Sequence, residues 1–267
     1  MSPAPDATPG RDSSFAPRPV AFQLGGQLLR ETSAILAAAP GRLLGLYLLI
    51  YLPVQLLSGP AYLAMPLRAS LASVGFAGFY CALEAARLGR APGLRDLAGP
   101  WRLPRDKLVL LCLGGLVPVL LVWLAWWIDL GSLELGKLLA NSLADGGADS
   151  ARDNLSTVAS VSNPALGQKI EAVLIENLAD IPLLLLQPMC VLFSWSATRT
   201  FSANLMVSLA NWHWGLFLAA ALTPIGLSLY SYHPGTLSGD LLLLIADVAV
   251  GIFLNAFCLV LLHHSLD

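Results

Sequence analysis

The sequence predicts an all-α fold, a polytopic transmembrane helix bundle with about six spans and additional amphipathic helices in the membrane interface. Three observations predict it. The chain of 267 residues is 56% hydrophobic and only 12% charged, whereas soluble domains carry about 25% charged residues. Its mean hydropathy is +0.69. Several stretches also approach the roughly 20 apolar residues that a membrane-spanning helix needs.

Six apolar segments are predicted as spans. The third is the clearest, because residues 108–128 contain no charged side chain. The first and second are separated by a Ser-Gly-Pro sequence at residues 58–60, which predicts a tight turn between two antiparallel helices. The predicted spans are residues 43–57, 66–86, 108–128, 181–196, 214–232 and 237–262.

Two further segments have helical periodicity but are too polar to cross a membrane. They are residues 23–38 and the segment from Phe201 to Trp212. We interpret both as helices in the membrane interface; the alternative is that they are cytoplasmic extensions packed on other helices of the protein. Residues 1–22 are rich in proline and lack an apolar run, which predicts a disordered cytoplasmic tail. Residues 23–267 are predicted to form a single membrane domain.

The distribution of lysine and arginine predicts the orientation. Of the 15 cations, 11 fall in the tail, the first amphipathic segment, the connection between the second and third spans, and the segment after the fourth span. Because cytoplasmic loops are enriched in cations, both termini are predicted to be cytoplasmic. The opposite side receives an acidic loop, residues 129–180, with eight acidic and three basic residues.

Recognisable catalytic and cofactor-binding motifs are absent from the sequence. The four histidines have no metal-ligand spacing and the four cysteines stand apart from one another, so we predict no disulfide, no metal, no cofactor and no enzyme activity. The net charge of −2 provides no basic footprint for nucleic acid, which is therefore not expected as a partner. The histidines are His213, His233, His263 and His264, and the cysteines are Cys81, Cys112, Cys190 and Cys258.

Polar residues inside the predicted spans are the strongest functional signal, because such residues are costly in a bilayer. On the sixth span Asp240 and Asp247 share one helix face, and Asn255 lies about 60° from it. Arg68 stands near the outer end of the second span. We predict an intramembrane polar site formed by Asp247, Asn255, Asp240 and Arg68. Asp247, the acid nearest mid-membrane, is expected to face the bundle interior and to have a polar partner.

Small residues repeat every four positions along the second span, at Ala69, Ser73, Ala77 and Cys81. Small side chains at this spacing allow helix backbones to approach closely. We therefore predict that this face packs against other helices near the centre of the bundle.

Three stretches carry a family resemblance: LEAARLGRAPGLRDL at residues 83–97, ANLMVSLANWHWGL at residues 203–216, and the polar entry helix that ends in Ala39-Pro40-Gly41. With them the chain resembles uncharacterised six-helix bacterial inner-membrane families, whose layout is similar to the non-catalytic membrane domain of some glycerophosphodiester phosphodiesterases. The resemblance extends from about residue 23 onward. It implies the six-helix fold and the inner-membrane location, and it implies no catalytic residue.

These observations lead us to expect a non-enzymatic membrane protein, a scaffold or regulatory subunit of a membrane complex. It would contact the lipid bilayer and a protein partner or a second copy of the chain. The alternative is a small transporter or lipid-handling protein with a polar pathway through Asp247 and Asn255, which a solvated cavity reaching Asp247 would favour. An intramembrane enzyme assembled across helices is the third hypothesis.

Overall fold

Helices make up the regular secondary structure in the computed structural model, which describes residues 17–57, 61–121, 124, 181–231 and 237–266. Within these ranges there is no strand, so the all-α prediction is confirmed there. The α-helices of these ranges are α1 (Gly25–Ala38), α2 (Pro40–Leu56), α3 (Ala61–Arg87), α4 (Leu94–Leu97), α5 (105–121), α6 (Leu186–Leu192), α7 (Ala197–Ala210), α8 (Trp212–Ser231) and α9 (Leu237–Leu266). Single 3-10 turns cover Phe22–Leu24, Pro100–Arg102 and Ile181–Leu183.

Two helices, α3 and α9, are each long and apolar enough to cross a bilayer. The apolar part of α3 is Ala64–Arg87, 24 residues with a mean hydropathy of 1.3, and that of α9 is Leu244–Leu266, 23 residues with a mean hydropathy of 2.4. At a rise of about 1.5 Å per residue, both exceed the hydrocarbon thickness of about 30 Å. Their length and composition are those of membrane-spanning helices.

Two sharp bends divide other apolar stretches into helix pairs. The axes of α1 and α2 differ by 88°, and those of α7 and the first part of α8 by 75°. The first bend occurs at Ala39, whose φ of −153° leaves the helical region because Pro40 follows it. If each bent pair counts as one span, the described residues contain up to four candidate spans.

The segment predicted as the fourth span, residues 181–196, is not a continuous helix. It contains the 3-10 turn, the seven-residue helix α6, and an extended backbone from Phe193 onward. Pro182 and Pro188 explain the interruption, since proline lacks the N–H that a helix interior uses. Met189 is fully buried, but over residues 181–196 the helix is too short to cross a bilayer alone.

The folded chain begins earlier than predicted. Residues 17–22 were assigned to the disordered tail, yet Val20 is only 2% exposed and the Arg18 backbone N–H donates to the Ser265 carbonyl at 3.0 Å. The Phe22 ring stacks on Trp214, with centroids 4.5 Å apart. Residues 1–16 and the predicted acidic loop, 129–180, lie outside the described residues, as does most of 122–128 at the end of the third predicted span.

Helix α3 is the central helix of the described bundle. It contacts α1, α2, α4, α6 and α9. Its buried residues include Phe79 and Leu83, which are completely inaccessible. The N-terminal part of α9 exposes large side chains such as Leu242, whereas its C-terminal part, from Ala256 to Leu262, is buried. The densest packing is therefore at the end of the bundle where α9 ends, beside the C-terminal end of α3.

Candidate functional site

Asp247 lies opposite a tyrosine of α2. The Tyr51 hydroxyl donates a hydrogen bond to Oδ2 of Asp247, and the Tyr51 ring stacks on Tyr47 with centroids 5.9 Å apart. The Tyr47 hydroxyl occupies the space beside Gly251, where a Cβ atom would collide with it. Helix α9 therefore presents Asp247 and Gly251 to two tyrosines on one face of α2.

This hydrogen bond offsets part of the cost of placing a carboxyl group among apolar helices, because a buried polar group needs a hydrogen-bond partner. The pair holds α2 against α9, and a phenol beside a carboxyl group is also able to transfer a proton. Sequence reasoning singled out Asp247 but missed Tyr51. The available signal was the spacing of Tyr47 and Tyr51, four residues apart and thus on the same face of one helix.

The other members of the predicted polar site do not join Asp247. The Asn255 amide donates at 2.7 Å to a carbonyl one turn earlier in its own helix. Arg68 donates from Nη2 to the carbonyl of Leu57 at the end of α2. Asp240 belongs to α9, but its side chain lies outside the described part of the structure. Among the described groups, neither Arg68 nor Asn255 is hydrogen-bonded to Asp247.

The small-residue face of α3 lies against α5. Ser73 is 3% exposed and Ala77 is fully buried, and Ser73 Oγ donates to the Leu111 carbonyl at 2.7 Å. A Cβ atom on Gly115 of α5 would collide with the Ala69 carbonyl. The two backbones therefore touch, and larger side chains at these positions would separate the helices.

The connection between α3 and α5 carries an exposed surface that combines arginine with large apolar side chains. Leu94 is 66% exposed and Trp101 is 68% exposed, and the neighbouring arginines are also exposed. We call this the basic surface and define it by Leu94, Arg95, Trp101, Arg102 and Arg105.

The basic surface is held rigidly on the bundle, although it lies in a connection. The Leu97 backbone lies directly on Gly78 of α3, where a Cβ atom would collide with it, and Gly99 packs in the same way against Sγ of Cys81. Cys81, the last residue of the small-residue face, therefore supports this connection and not α5. The short helix α4 is braced by Asp96, whose Oδ2 accepts the Gly93 N–H at 2.8 Å.

Lys107 fixes the far end of this connection. Its side chain is buried, with the residue only 2% exposed, and Nζ donates to the carbonyls of Cys190, at 3.0 Å, and Phe193. These carbonyls close the C-terminal end of α6, where a cation is favoured because the carbonyls lack helical partners. Lys107 was counted among the cytoplasmic cations in the sequence analysis. In the structure its ammonium group binds the carbonyls at the end of α6 and so holds α5 against α6.

Asn211 joins three separate parts of the chain at the bend between α7 and α8. Its Oδ1 accepts the Val20 N–H at 2.7 Å, and its Nδ2 donates to Oγ of Ser265 at 3.1 Å. The Val20 carbonyl lies 2.9 Å from Nε2 of His213 and accepts from Nε1 of Trp214 at 2.9 Å. The Asn-Trp-His-Trp sequence thus binds the N-terminal segment to the end of α9.

Two histidines near the end of α9 face two glutamates from other helices. Nε2 of His263 lies 3.1 Å from Oε2 of Glu84, whose carboxylate also accepts two hydrogen bonds of 2.7 Å from Arg87. Nε2 of His264 lies 3.0 Å from Oε2 of Glu31 on α1. These contacts connect α9 to α3 and to α1.

The charge of Glu31 is favoured by its neighbours. Burial is the largest single influence and raises its pKa, but the hydrogen bonds from Gln27 and His264, together with the charges of His264 and Arg87, outweigh it and leave the pKa below the ordinary value. The carboxylate of Glu31 therefore remains an acceptor at neutral pH.

An open groove runs along the bend between α1 and α2, which we call the bend groove. It consists of two adjoining cavities of about 640 and 600 Å³ that share Ala38, Ala86 and Gly89. The first cavity contains the polar side chains of Glu31, Arg87, His263 and His264. The second is lined by residues that include Arg42 and Arg90. No sequence pattern indicated this groove, because its walls come from three distant segments.

Metal chemistry has no support in the described ranges, where no three His, Cys, Asp or Glu side chains converge on one point. A comparison of the chain with protein-family models, with curated proteins and with solved structures gave no match. The resemblance to six-helix inner-membrane families therefore stays a prediction.

Proposed function

We propose that this chain is a non-enzymatic, six-span protein of a bacterial inner membrane, with both termini cytoplasmic, and that it is a scaffold or regulatory subunit of a membrane complex. The observation that carries the proposal is the basic surface, a rigid exposed patch beside the helix ends. Its occupant is a protein partner that offers acidic side chains around an apolar pocket.

The chemistry of the basic surface supports a protein partner. Tryptophan and arginine are enriched at the energetic centres of protein interfaces, because a large ring and a planar guanidinium bury much area and make directional hydrogen bonds. Trp101 and Arg102 are adjacent and both exposed. The rigidity of the connection lowers the conformational entropy that binding would cost.

The polar groups inside the bundle support a structural role for the helices. Tyr51 is hydrogen-bonded to Asp247, and Ser73 to the backbone of α5. Asp247 lines neither cavity of the bend groove. A transporter or lipid-handling protein with a pathway through α9 is the alternative, and it needs the Tyr51–Asp247 pair to carry protons or substrate. Asp247→Asn separates the two roles, because a proton pathway needs the carboxyl group whereas a structural contact needs only the acceptor oxygen.

The test is purification of the full chain from its native membrane in mild detergent. The double variant Trp101→Ala/Arg102→Glu alters the basic surface, and Trp212→Ala/Arg30→Glu makes the same changes at two exposed residues elsewhere. We expect the wild type and the control to elute with one stoichiometric protein partner, and the basic-surface variant to elute without it.

Three results contradict this proposal. Equal recovery of the partner with both double variants places the contact elsewhere. A purified chain that elutes alone, with the mass of two copies, makes the occupant a second copy. Elution of the wild type and the control with phospholipid but no protein partner, together with loss of that phospholipid in the basic-surface variant, makes the basic surface a membrane contact.

A further inference from the structure

The second cavity of the bend groove contains two arginines whose charges are not matched. Arg42 lies in the first turn of α2 and Arg90 follows α3; both residues are exposed and both line this cavity. Within the described ranges, neither guanidinium forms an ion pair or a side-chain hydrogen bond. Arg87 in the adjoining cavity differs, because its guanidinium is bound to Glu84.

Backbone donors add to the positive character of this cavity. Gly41 and Arg42 lie in the first turn of the 17-residue helix α2, where backbone N–H groups lack helical acceptors. The first helical hydrogen bond in this turn is from Leu43 to Ala39. Two arginines and the start of a helix therefore line one open cavity, and their N–H donors are of the kind that binds the oxygens of a phosphate group.

The first cavity offers a different chemistry. Glu31 and His264 form a pair at 3.0 Å that is open to the groove. A carboxylate repels a phosphate but accepts hydrogen bonds from hydroxyl groups, and an imidazole can donate or accept. The residues that line both cavities are the small residues Ala38, Ala86 and Gly89, so no bulky side chain is shared by their walls.

We propose that the bend groove binds the headgroup of an anionic phospholipid whose phosphate carries a polyol. The phosphate lies between Arg42 and Arg90, and the hydroxyl groups reach Glu31 and His264. The groove lies where α1 turns 88° away from α2, which is the level of the lipid headgroups if α1 lies in the interface. The acyl chains then extend along the exposed apolar side of α2, where Leu44 is 44% exposed.

The experiment measures lipid-dependent thermal stability of the detergent-purified full chain, with phosphatidylglycerol, phosphatidylcholine and phosphatidic acid as probes. A ligand that binds only the folded state raises the unfolding midpoint. We expect phosphatidylglycerol to raise it at lower concentration than either other lipid. In Arg42→Gln/Arg90→Gln the concentration required should rise by about tenfold, the effect of losing a charge-assisted hydrogen bond.

Two further variants keep the test decisive. Arg18→Gln/Arg30→Gln removes the same charge from exposed arginines outside the groove and should leave the lipid response within about twofold of the wild type. Ala38→Phe fills the shared wall without changing any charge and should weaken the response as much as the arginine variant. An equal response of the wild type and both groove variants, or an equal loss in the control, would overturn the proposal.

The same measurement identifies the source of the phosphate and the role of the polyol. Glycerophosphoglycerol has the same headgroup without acyl chains, and we expect it to have no effect at the concentrations at which the lipid acts. If it is as effective as the lipid, the ligand is a soluble phosphodiester and the lipid assignment is wrong. If phosphatidic acid is as effective as phosphatidylglycerol, the assignment of Glu31 and His264 to hydroxyl groups is wrong.

Discussion

At the level of single residues, the hydrogen bond between Tyr51 and Asp247 decides how an acidic group is tolerated in α9. An isolated carboxylate at the centre of a bilayer costs roughly 2.5–3.5 kcal/mol on insertion scales. The Tyr51 hydroxyl offsets part of that cost. The position of Asp247 was predictable from its place in the span, but its partner was not, because pairing depends on which face of α2 turns toward α9.

We predict that Asp247→Asn is nearly as stable as the parent, since the amide oxygen still accepts the Tyr51 hydroxyl, and that Asp247→Leu loses about 1–3 kcal/mol by leaving that hydroxyl without an acceptor. Thermal unfolding in detergent measures both, with Tyr51→Phe as the matched removal of the donor. A structural acid tolerates asparagine, whereas a proton relay loses activity with asparagine while the protein still folds. If the leucine variant is as stable and active as the parent, the carboxyl group of Asp247 contributes nothing through its hydrogen bond to Tyr51.

Asn211 is hydrogen-bonded to two distant parts of the chain, to Val20 and to Ser265. We predict that Asn211→Ala lowers the stability by about 1–3 kcal/mol, because the buried Val20 N–H loses its acceptor, and that it accelerates chymotryptic cleavage after Phe22, which follows Val20 in the same segment. Asn255→Ala is the matched control, since Asn255 bonds only within its own helix. Equal cleavage rates in the two variants would show that Asn211 does not hold the N-terminal segment.

At the level of helices, hydrophobic periodicity predicted α1 within two residues and placed the small-residue repeat on α3. Those features depend on local sequence. Ala39-Pro40 ends one helix, and the four-residue spacing of the small residues can be read directly from the sequence. The error at residues 181–196 has the opposite cause. Apolar composition reports burial, and it does not distinguish a lipid-facing span from the short buried helix α6.

The contact between α3 and α5 yields the helix-scale prediction. Ser73→Leu or Ala77→Leu adds volume where the backbones of the two helices touch, and this overpacking should cost about 1–3 kcal/mol. Leu67→Phe adds volume on the exposed side of α3, where Leu67 is 51% exposed, and should leave the unfolding midpoint in detergent unchanged. Midpoints for Ser73→Leu and Ala77→Leu that match Leu67→Phe would refute tight packing of this face.

At the level of the whole molecule, the bend groove shows the limit of sequence reasoning. Its polar side chains come from α1, from the start of α2, from the end of α3 and from the end of α9. No spacing along the chain relates Glu31 to His264, so only the packing of the helices reveals that they meet. The arginine-rich connection was predictable as a charged region, whereas the burial of Lys107 within it was not.

The positions of Arg18 and Ser265 constrain the topology of the whole bundle. Because their backbones are hydrogen-bonded, residues 18 and 265 lie at the same end, and a bundle that spans a bilayer must cross it an even number of times between them. Two, four and six crossings all satisfy this condition. The positive-inside rule then favours the cytoplasm for this end, since Arg42, Arg87 and Arg90 are found there.

We therefore predict that Gly93 faces the cytoplasm and Ser150 the opposite side. Cysteine is placed singly at each position in a chain whose four native cysteines are replaced by alanine. At Gly93 the backbone is extended and no atom lies within 4 Å of a new Cβ, so the substitution should not disturb the fold. A membrane-impermeant maleimide should label Ser150→Cys in intact cells and Gly93→Cys only in inverted membrane vesicles. Labelling of Gly93→Cys in intact cells would reverse the orientation, and labelling of both from one side would require an even number of crossings between residues 93 and 150.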